Sequence, residues 1–245
     1  MPASRPRVAA VIPTLNEADA IVEVIGAVPR DCVDDIIIAD SGSTDATVAR
    51  ARAAGARILA VARGYGRACH AGAEAASDCD IIVFLDGDGS DCPEVIPRLI
   101  APIATGRADF VIGSRTRGER EPGSMSFHQI AAGYFAGMVT RLLYGVRYTD
   151  MCALRAIRRD MLMRLGMREM TYGWNLEMQM RAARGGLRVL EMPVAYRRRR
   201  GGSSKISGTA IGTLKAGLRI ALTLLRVALE RRRWTDRRAA EPARR

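Results

Sequence analysis

The sequence predicts an α/β protein: a mostly parallel sheet flanked by helices, with a basic amphipathic helix appended near its C-terminal end. Three observations carry that prediction. Short apolar runs alternate with helix-like stretches through the first 115 residues, the pattern of successive βαβ units. Four of the apolar runs end in polar clusters, which such a sheet would bring to one edge. Near the end, leucines recur at helical spacing among arginines and lysines.

Residues 7–12 (Arg-Val-Ala-Ala-Val-Ile) read as a first buried strand, broken by Pro13-Thr14-Leu15-Asn16-Glu17 and followed by a helix over about 18–28. Residues 35–39 form a second strand ending at Asp40. Ser41-Gly42-Ser43 is its turn, and Thr44-Asp45 can cap the next helix. A third strand is expected at 56–61, a helix of small residues at 67–76 and a fourth strand at 80–85. Pro93-Glu94 opens another helix, and 109–112 is a fifth strand. The second half is less regular: a loop at 117–129, a helix at 130–144, a strand at 152–157, a helix at 173–184 and a last strand at 187–192.

At 245 residues the chain can bury a full core. It divides into one large domain at 1–207, a helical extension at 208–234 and a basic tail at 235–245 whose composition predicts disorder. The five cysteines are odd in number and show no C-x-x-C spacing, so they read as small core residues in a reducing compartment. With two histidines, a His-based zinc site is not expected. No signal peptide and no uncharged apolar window of about 18 residues is visible. The expected location is cytoplasmic, with peripheral contact on the inner face of the membrane. The net charge of +12, concentrated after residue 197, implies an anionic partner.

Asp86-Gly87-Asp88 carries the most chemistry. It ends the apolar run Ile81-Ile82-Val83-Phe84-Leu85. Residues two apart share a side of an extended strand, so both carboxylates present at one edge. Such oxygen donors suit Mg²⁺ or Mn²⁺, which in turn holds a diphosphate. An acidic turn is the plain alternative. Ligands of parallel sheets bind beyond the C-terminal strand ends. Here those ends carry Pro13 to Glu17, Asp40, Asp86 to Asp88 and Gly113-Ser114-Arg115. Arg63-Gly64-Tyr65-Gly66-Arg67 precedes a helix, where glycines would admit a phosphate to the helix start, although no P-loop or dinucleotide fingerprint is present. Asp150 is a lone acid before a strand-like segment. Glu177 follows Trp174, and by itself reads as a solvated helix residue. Arg197 to Arg200, then Gly201-Gly202-Ser203-Ser204-Lys205, could close over a phosphate or be a solvated basic run. Within 208–230, Ile211, Leu214, Leu218, Leu222, Leu225 and Leu229 form one stripe, suited to a membrane interface or to the chain's own core.

Taken together, these segments resemble a family 2 glycosyltransferase of the branch that includes the dolichyl-phosphate and polyprenyl-phosphate mannose (or glucose) synthases. The resemblance covers about residues 7–208. It rests on Val11 to Glu17, Asp40-Ser41-Gly42-Ser43-Thr44-Asp45, Leu85 to Asp88, Ile112 to Arg115, Tyr172 to Glu177 and Arg199 to Lys205. It implies a GT-A (Rossmann-like) fold, a nucleotide-sugar donor and a Mg²⁺ or Mn²⁺ cofactor. It implies that Pro13, Leu15, Glu17 and Asp40 line the base and ribose pocket. Asp88 would be the metal ligand, and Asp86 would bridge ribose and metal. Asp150 takes the catalytic carboxylate position, with Arg199 and Lys205 as a phosphate clamp. Gly66, Arg67, Arg115 and Arg117 are assigned with them to substrate, and Glu177 is a second candidate base. Ser90 stands where dolichyl-phosphate mannose synthases usually have Gln.

The implied function is inverting transfer of a hexose from GDP-mannose or UDP-glucose to a polyprenyl or dolichyl phosphate at the cytoplasmic membrane face. A soluble or lipid hydroxyl acceptor is the alternative. A nucleotidyltransferase would also use metal carboxylates, but its glycine-rich signature is missing. A basic nucleic-acid-binding module is the non-enzyme reading; acidic strand ends argue against it, because carboxylates repel a phosphate backbone.

Overall fold

The computed structural model describes residues 5–200 and 210–230. Lys205, the expected 207/208 domain boundary and the tail at 235–245 lie outside the described residues. The elements run β1 (Val8–Thr14), α1 (Ile21–Ala27), β2 (Asp35–Asp40), α2 (Thr47–Ala53), β3 (Arg57–Ala60), α3 (Tyr65–Ala75) and β4 (Ile81–Phe84). A 3-10 turn (Pro93–Val95) leads into α4 (Ile96–Ala104), followed by β5 (Phe110–Ser114) and α5 (Phe127–Tyr144). Then come β6 (Arg155–Arg158), α6 (Arg159–Leu165), α7 (Trp174–Arg184), β7 (Val189–Pro193) and α8 (Ala210–Leu229).

Seven strands form one sheet in the order β3-β2-β1-β4-β6-β5-β7. β1, β2 and β4 are buried along nearly their whole length, as expected of parallel strands covered on both faces. Each fully buried Ile among them, such as Ile12, Ile37 and Ile82, contributes about 1.5–3 kcal/mol relative to exposure. All five cysteines are free thiols; four are buried and Cys32 is half-buried.

One strand departs from the parallel pattern. β6 runs antiparallel to both neighbours, with Arg155 opposite Phe84 on one side and Ile112 on the other. The reversal matters for the site. The chain enters β6 at the edge where β4 and β5 end, so the residues just before it, Asp150 among them, lie at the C-terminal edge of the parallel strands.

Two helices differ from expectation. α5 starts at Phe127, inside the stretch expected to be loop, because Ser126 and Gln129 form a reciprocal capping box. α6 was not anticipated; β6 runs into it without a Gly or Pro, and Gly166 ends it at φ 61.

α5 also packs in reverse. Its small residues Gly133, Ala136, Gly137 and Thr140 face inward. Phe127, Tyr134, Phe135, Met138 and Leu142 face out, with Phe127 and Leu142 each 78% exposed. The cause is a close backbone approach: a Cβ on Gly137 would stand 1.9 Å from the Tyr148 carbonyl oxygen. α8 shares this habit. Thr223, Leu224 and Val227 are buried, while Leu218, Leu222, Leu225 and Leu229 of the expected stripe are exposed. Ala136 of α5, Leu176 and Met180 of α7, and Leu224 and Val227 of α8 join in one small apolar cluster.

Candidate active site

The loops after β1 and β2 are fastened to each other. Asn16 adopts a left-handed conformation (φ 55), which Asn tolerates better than most residues. Its N–H donates to Ser43 Oγ at 2.9 Å, and its Oδ1 accepts from Thr44 N–H at 2.8 Å. Glu17 N–H donates to Thr47 Oγ1 at 2.8 Å. Pro13, Leu15, Glu17 and Asp40 thereby fall at one corner of the sheet edge. Asp40 is buried and accepts N–H bonds from Gly42 (3.0 Å) and Ser43 (2.9 Å), and hydroxyl bonds from Thr14 (3.2 Å) and Ser43. It therefore organises its own turn as well as facing the edge. Asp45 accepts from the N–H of Thr47 at 2.9 Å, at the entrance to α2.

The loop after β4 brings three carboxylates together. Asp88 is buried; its Oδ1 accepts from Ser90 N–H at 2.9 Å and from the Ser90 hydroxyl at 2.5 Å. Its Oδ2 lies 2.7 Å from Arg199 Nη2. Asp91 is also buried, and its Oδ2 accepts the Asp86 N–H at 2.9 Å. Burial, then repulsion from Asp91 and Asp88, pushes the Asp86 carboxyl up to about 8, against an opposing pull from Arg115. Burial likewise raises Asp91 to about 6, reinforced by Asp88.

Asp150 is 1% exposed and tightly held. Arg115 grips it through two side-chain bonds of 2.8 Å, and the N–H groups of Arg115 (2.9 Å) and Met151 (2.7 Å) also donate to it. Burial opposes the charge on Arg115, but the bonds to Asp150 more than offset it and raise its pKa. Arg115 also lies over the Tyr196 ring, 4.8 Å from its centroid, a favourable cation–π arrangement.

Other expected site residues are placed elsewhere. Glu177 is not solvated: it is 0% exposed. Its carboxylate accepts from Arg181 (2.9 Å), Arg226 of α8 (3.0 Å) and the N–H groups of Arg168 (2.9 Å) and Glu169 (2.6 Å). These four contacts fasten α7 to α8 and to the 168–169 loop. The glycines at the start of α3, Gly64 and Gly66, lie against the chain's own backbone. A Cβ on Gly66 would stand 2.3 Å from the Glu169 carbonyl oxygen, and the Arg67 N–H donates to the Met170 carbonyl at 3.0 Å. Arg117 is exposed, with Nη1 3.2 Å from the Glu191 carbonyl.

Several residues of the edge escaped the sequence reading. Asp91 is one, although Asp86, Asp88 and Asp91 lie within six positions. Thr116 and Thr149 are others: they join Ser114, already expected at its strand end, in a hydroxyl cluster beside Asp150, and Glu191 accepts both the N–H (2.7 Å) and the hydroxyl (3.0 Å) of Thr149. Their signal is spatial, since they come from three separate segments.

The acidic loop suits a hard divalent cation. Its donors are oxygens, Asp86, Asp88 and Asp91 crowd one short loop, and a guanidinium already lies on Asp88. No group of three His, Cys, Asp or Glu side chains is arranged as a metal cage among the described residues. The protein would supply few ligands and leave the rest to phosphate and water, as is usual for Mg²⁺.

The profile of glycosyl transferase family 2 matches residues 9–166. An undecaprenyl-phosphate mannosyltransferase of Micrococcus luteus is 33% identical over 225 residues, covering 84% of this chain and 90% of that one. A polyprenol monophosphomannose synthase of Mycolicibacterium smegmatis is 30% identical over 246 residues, covering 94% and 92%. Among solved structures, the glucosyl-3-phosphoglycerate synthase of Mycobacterium tuberculosis in complex with Mn²⁺, UDP and glucosyl-3-phosphoglycerate superimposes with a TM-score of 0.71 at 26% identity, over 91% of this chain and 80% of that chain. The sheet order, the strand-end acids and these similarities agree: the chain has the GT-A fold and belongs to glycosyl transferase family 2, the enzymes that transfer sugars from nucleotide-sugar donors.

Proposed function

We propose that this glycosyltransferase transfers a hexose, with inversion, from GDP-mannose or UDP-glucose to a polyprenyl phosphate. The observation that carries the reading is the buried acidic loop at the end of β4, set among the loops of β1, β2 and β5. The names of the relatives from Micrococcus luteus and Mycolicibacterium smegmatis supply the acceptor class.

Pro13, Leu15, Glu17 and Asp40 receive the base and ribose. A divalent cation held by Asp88 and Asp86, Mg²⁺ or Mn²⁺, would neutralise charge on the diphosphate leaving group. An acceptor oxygen attacks the anomeric carbon as the bond from that carbon to the diphosphate oxygen breaks. A phosphate acceptor is already anionic, so no general base is required. That suits an Asp150 whose oxygens are held by Arg115: the pair orients donor or acceptor instead of moving a proton. Arg199 and Lys205 add positive charge around the phosphates.

Access to a lipid acceptor is supported by the outward apolar faces of α5 and α8. Neither helix sequence contains an Asp or Glu, whereas both carry cations: Arg141, Lys215, Arg219 and Arg226. Among the described residues no helix is long and apolar enough to cross a membrane, so these faces favour peripheral docking on an anionic leaflet. A second reading, a soluble phosphorylated acceptor with UDP-glucose, is favoured by the likeness to glucosyl-3-phosphoglycerate synthase. Incubation with each labelled donor, Mn²⁺ and either undecaprenyl phosphate or 3-phosphoglycerate separates the two. Label in the organic phase supports the lipid acceptor; label only in a water-soluble product supports the second reading.

A further inference from the structure

The segment after β7 crosses the acidic loop as a strap. Tyr196 pairs with Asp91 as an isolated antiparallel bridge. Arg197 N–H donates to the Ser90 carbonyl at 2.9 Å, and Arg200 N–H to the Asp88 carbonyl at 3.1 Å. On its other side, Arg198 N–H donates to the Glu121 carboxylate at 2.7 Å. The Arg200 side chain points away to Glu23, at 2.5 Å. Between these anchors Arg199 turns inward. Its Nη2 lies 2.7 Å from Asp88 Oδ2, and its Nη1 lies 3.7 Å from Glu17 Oε1. Ser90 already holds Asp88 Oδ1. Oδ2 is therefore the oxygen an entering cation would take, and a guanidinium is on it.

We propose that Arg199 is a displaceable counter-ion for the metal site: it holds Asp88 until a divalent cation enters, and the cation expels it toward the nucleotide diphosphate. The inference rests on the assignment of Asp88 as metal ligand. A dication and a guanidinium compete for the same lone pairs, and their like charges repel at such separations. While paired, Arg199 offsets the mutual repulsion of Asp86, Asp88 and Asp91. Once displaced, it stands without its carboxylate beside the place where a diphosphate arrives, and Arg suits that anion with paired N–H donors. One residue thus opposes the cation alone and favours the cation with nucleotide. That opposite pair of effects distinguishes a counter-ion from a plain phosphate clamp.

Mn²⁺ titrations of the full chain, read by electron paramagnetic resonance, test this with and without UDP or GDP. The wild type is compared with Arg199→Gln, Arg200→Gln and Asp88→Asn, each checked for folding by circular dichroism. Without nucleotide, Arg199→Gln should bind Mn²⁺ about fivefold or more tightly than wild type, the worth of one partly exposed ion pair. Arg200→Gln should match wild type, and Asp88→Asn should not bind. With nucleotide present, Arg199→Gln should bind more weakly than wild type. Equal or weaker Mn²⁺ binding by Arg199→Gln without nucleotide, still dependent on Asp88, overturns the counter-ion and leaves the metal site standing. Equal tightening by Arg200→Gln reduces the effect to net charge and also overturns it. If no folded variant binds Mn²⁺ in either condition, the metal assignment and the counter-ion fall together.

Discussion

Asp86 and Asp91 are expected to set the pH behaviour of the site. An unfolded Asp titrates near about 3.9, whereas burial and repulsion raise these two to about 8 and about 6. The fold therefore holds their protons more tightly than the unfolded chain does. The stability they contribute is complete below about pH 4 and is lost as pH rises through those values. A divalent cation compensates the charged pair, so Mn²⁺ should raise Tm by more at about pH 8.5 than at about pH 5. Calorimetric melts check this; an equal or larger rise in acid would contradict it. Asp86 and Asp88 were legible in the sequence because a short apolar strand delivers them in order. The character of Asp91 was not, because it depends on burial and on a bond to the Asp86 amide. The environment of Glu177 was equally hidden, since its partners come from α8 and from the 168–169 loop.

At the level of elements, α7 and α8 are joined by buried ions. Arg181 and Arg226 meet Glu177, and Arg181 and Arg184 meet Glu230. Removing one partner from a buried group of this kind costs about 3–5 kcal/mol. Glu177→Ala should therefore lower Tm sharply and increase protease sensitivity around α8, while Glu177→Gln, which keeps an acceptor, should lose less. A variant as stable as wild type but inactive would restore Glu177 as a catalytic base. α5 offers a second test at this scale. Gly137→Val puts bulk against the Tyr148 carbonyl, in front of the Asp150 loop. It should destabilise by about 1–3 kcal/mol, read by urea denaturation, and reduce turnover with it. The strands and most helices followed from apolar runs and their polar punctuation. The antiparallel setting of β6 did not, because the direction of a short strand is fixed by its neighbours, Phe84 and Ile112, not by its own residues. The start of α5 was readable in the Ser126 and Gln129 capping pair.

Over the whole molecule, the candidate site and the proposed docking surface adjoin through α5. Gly133 on its inner face packs near Asp150, where an added Cβ would be 3.4 Å from the Asp150 Cα, while its outer face exposes Phe135 and Leu142. The exposed leucines of α8 extend the apolar surface, and the proposed docking draws on the attraction of the sequence's excess of cations over acids to anionic lipid. Replacing Phe135 and Leu142 with Ser, or Leu222 and Leu225 with Ser, should weaken flotation with phosphatidylglycerol vesicles severalfold. Nucleotide-sugar binding should stay intact. Unchanged flotation in both variants would remove these faces from the account. The sequence showed the stripe of α8 but not its outward aim, because helical spacing identifies an apolar face without saying what covers it.

The acids ending β4 are proposed to hold a metal-bound nucleotide sugar. Calorimetric titration with GDP-mannose and with UDP-glucose, with and without Mn²⁺, on wild type and Asp88→Asn tests it most directly. Mn²⁺-dependent binding of one donor by wild type, lost in the variant, is the expected result. Equal binding by a folded Asp88→Asn protein, or binding indifferent to Mn²⁺, would contradict it.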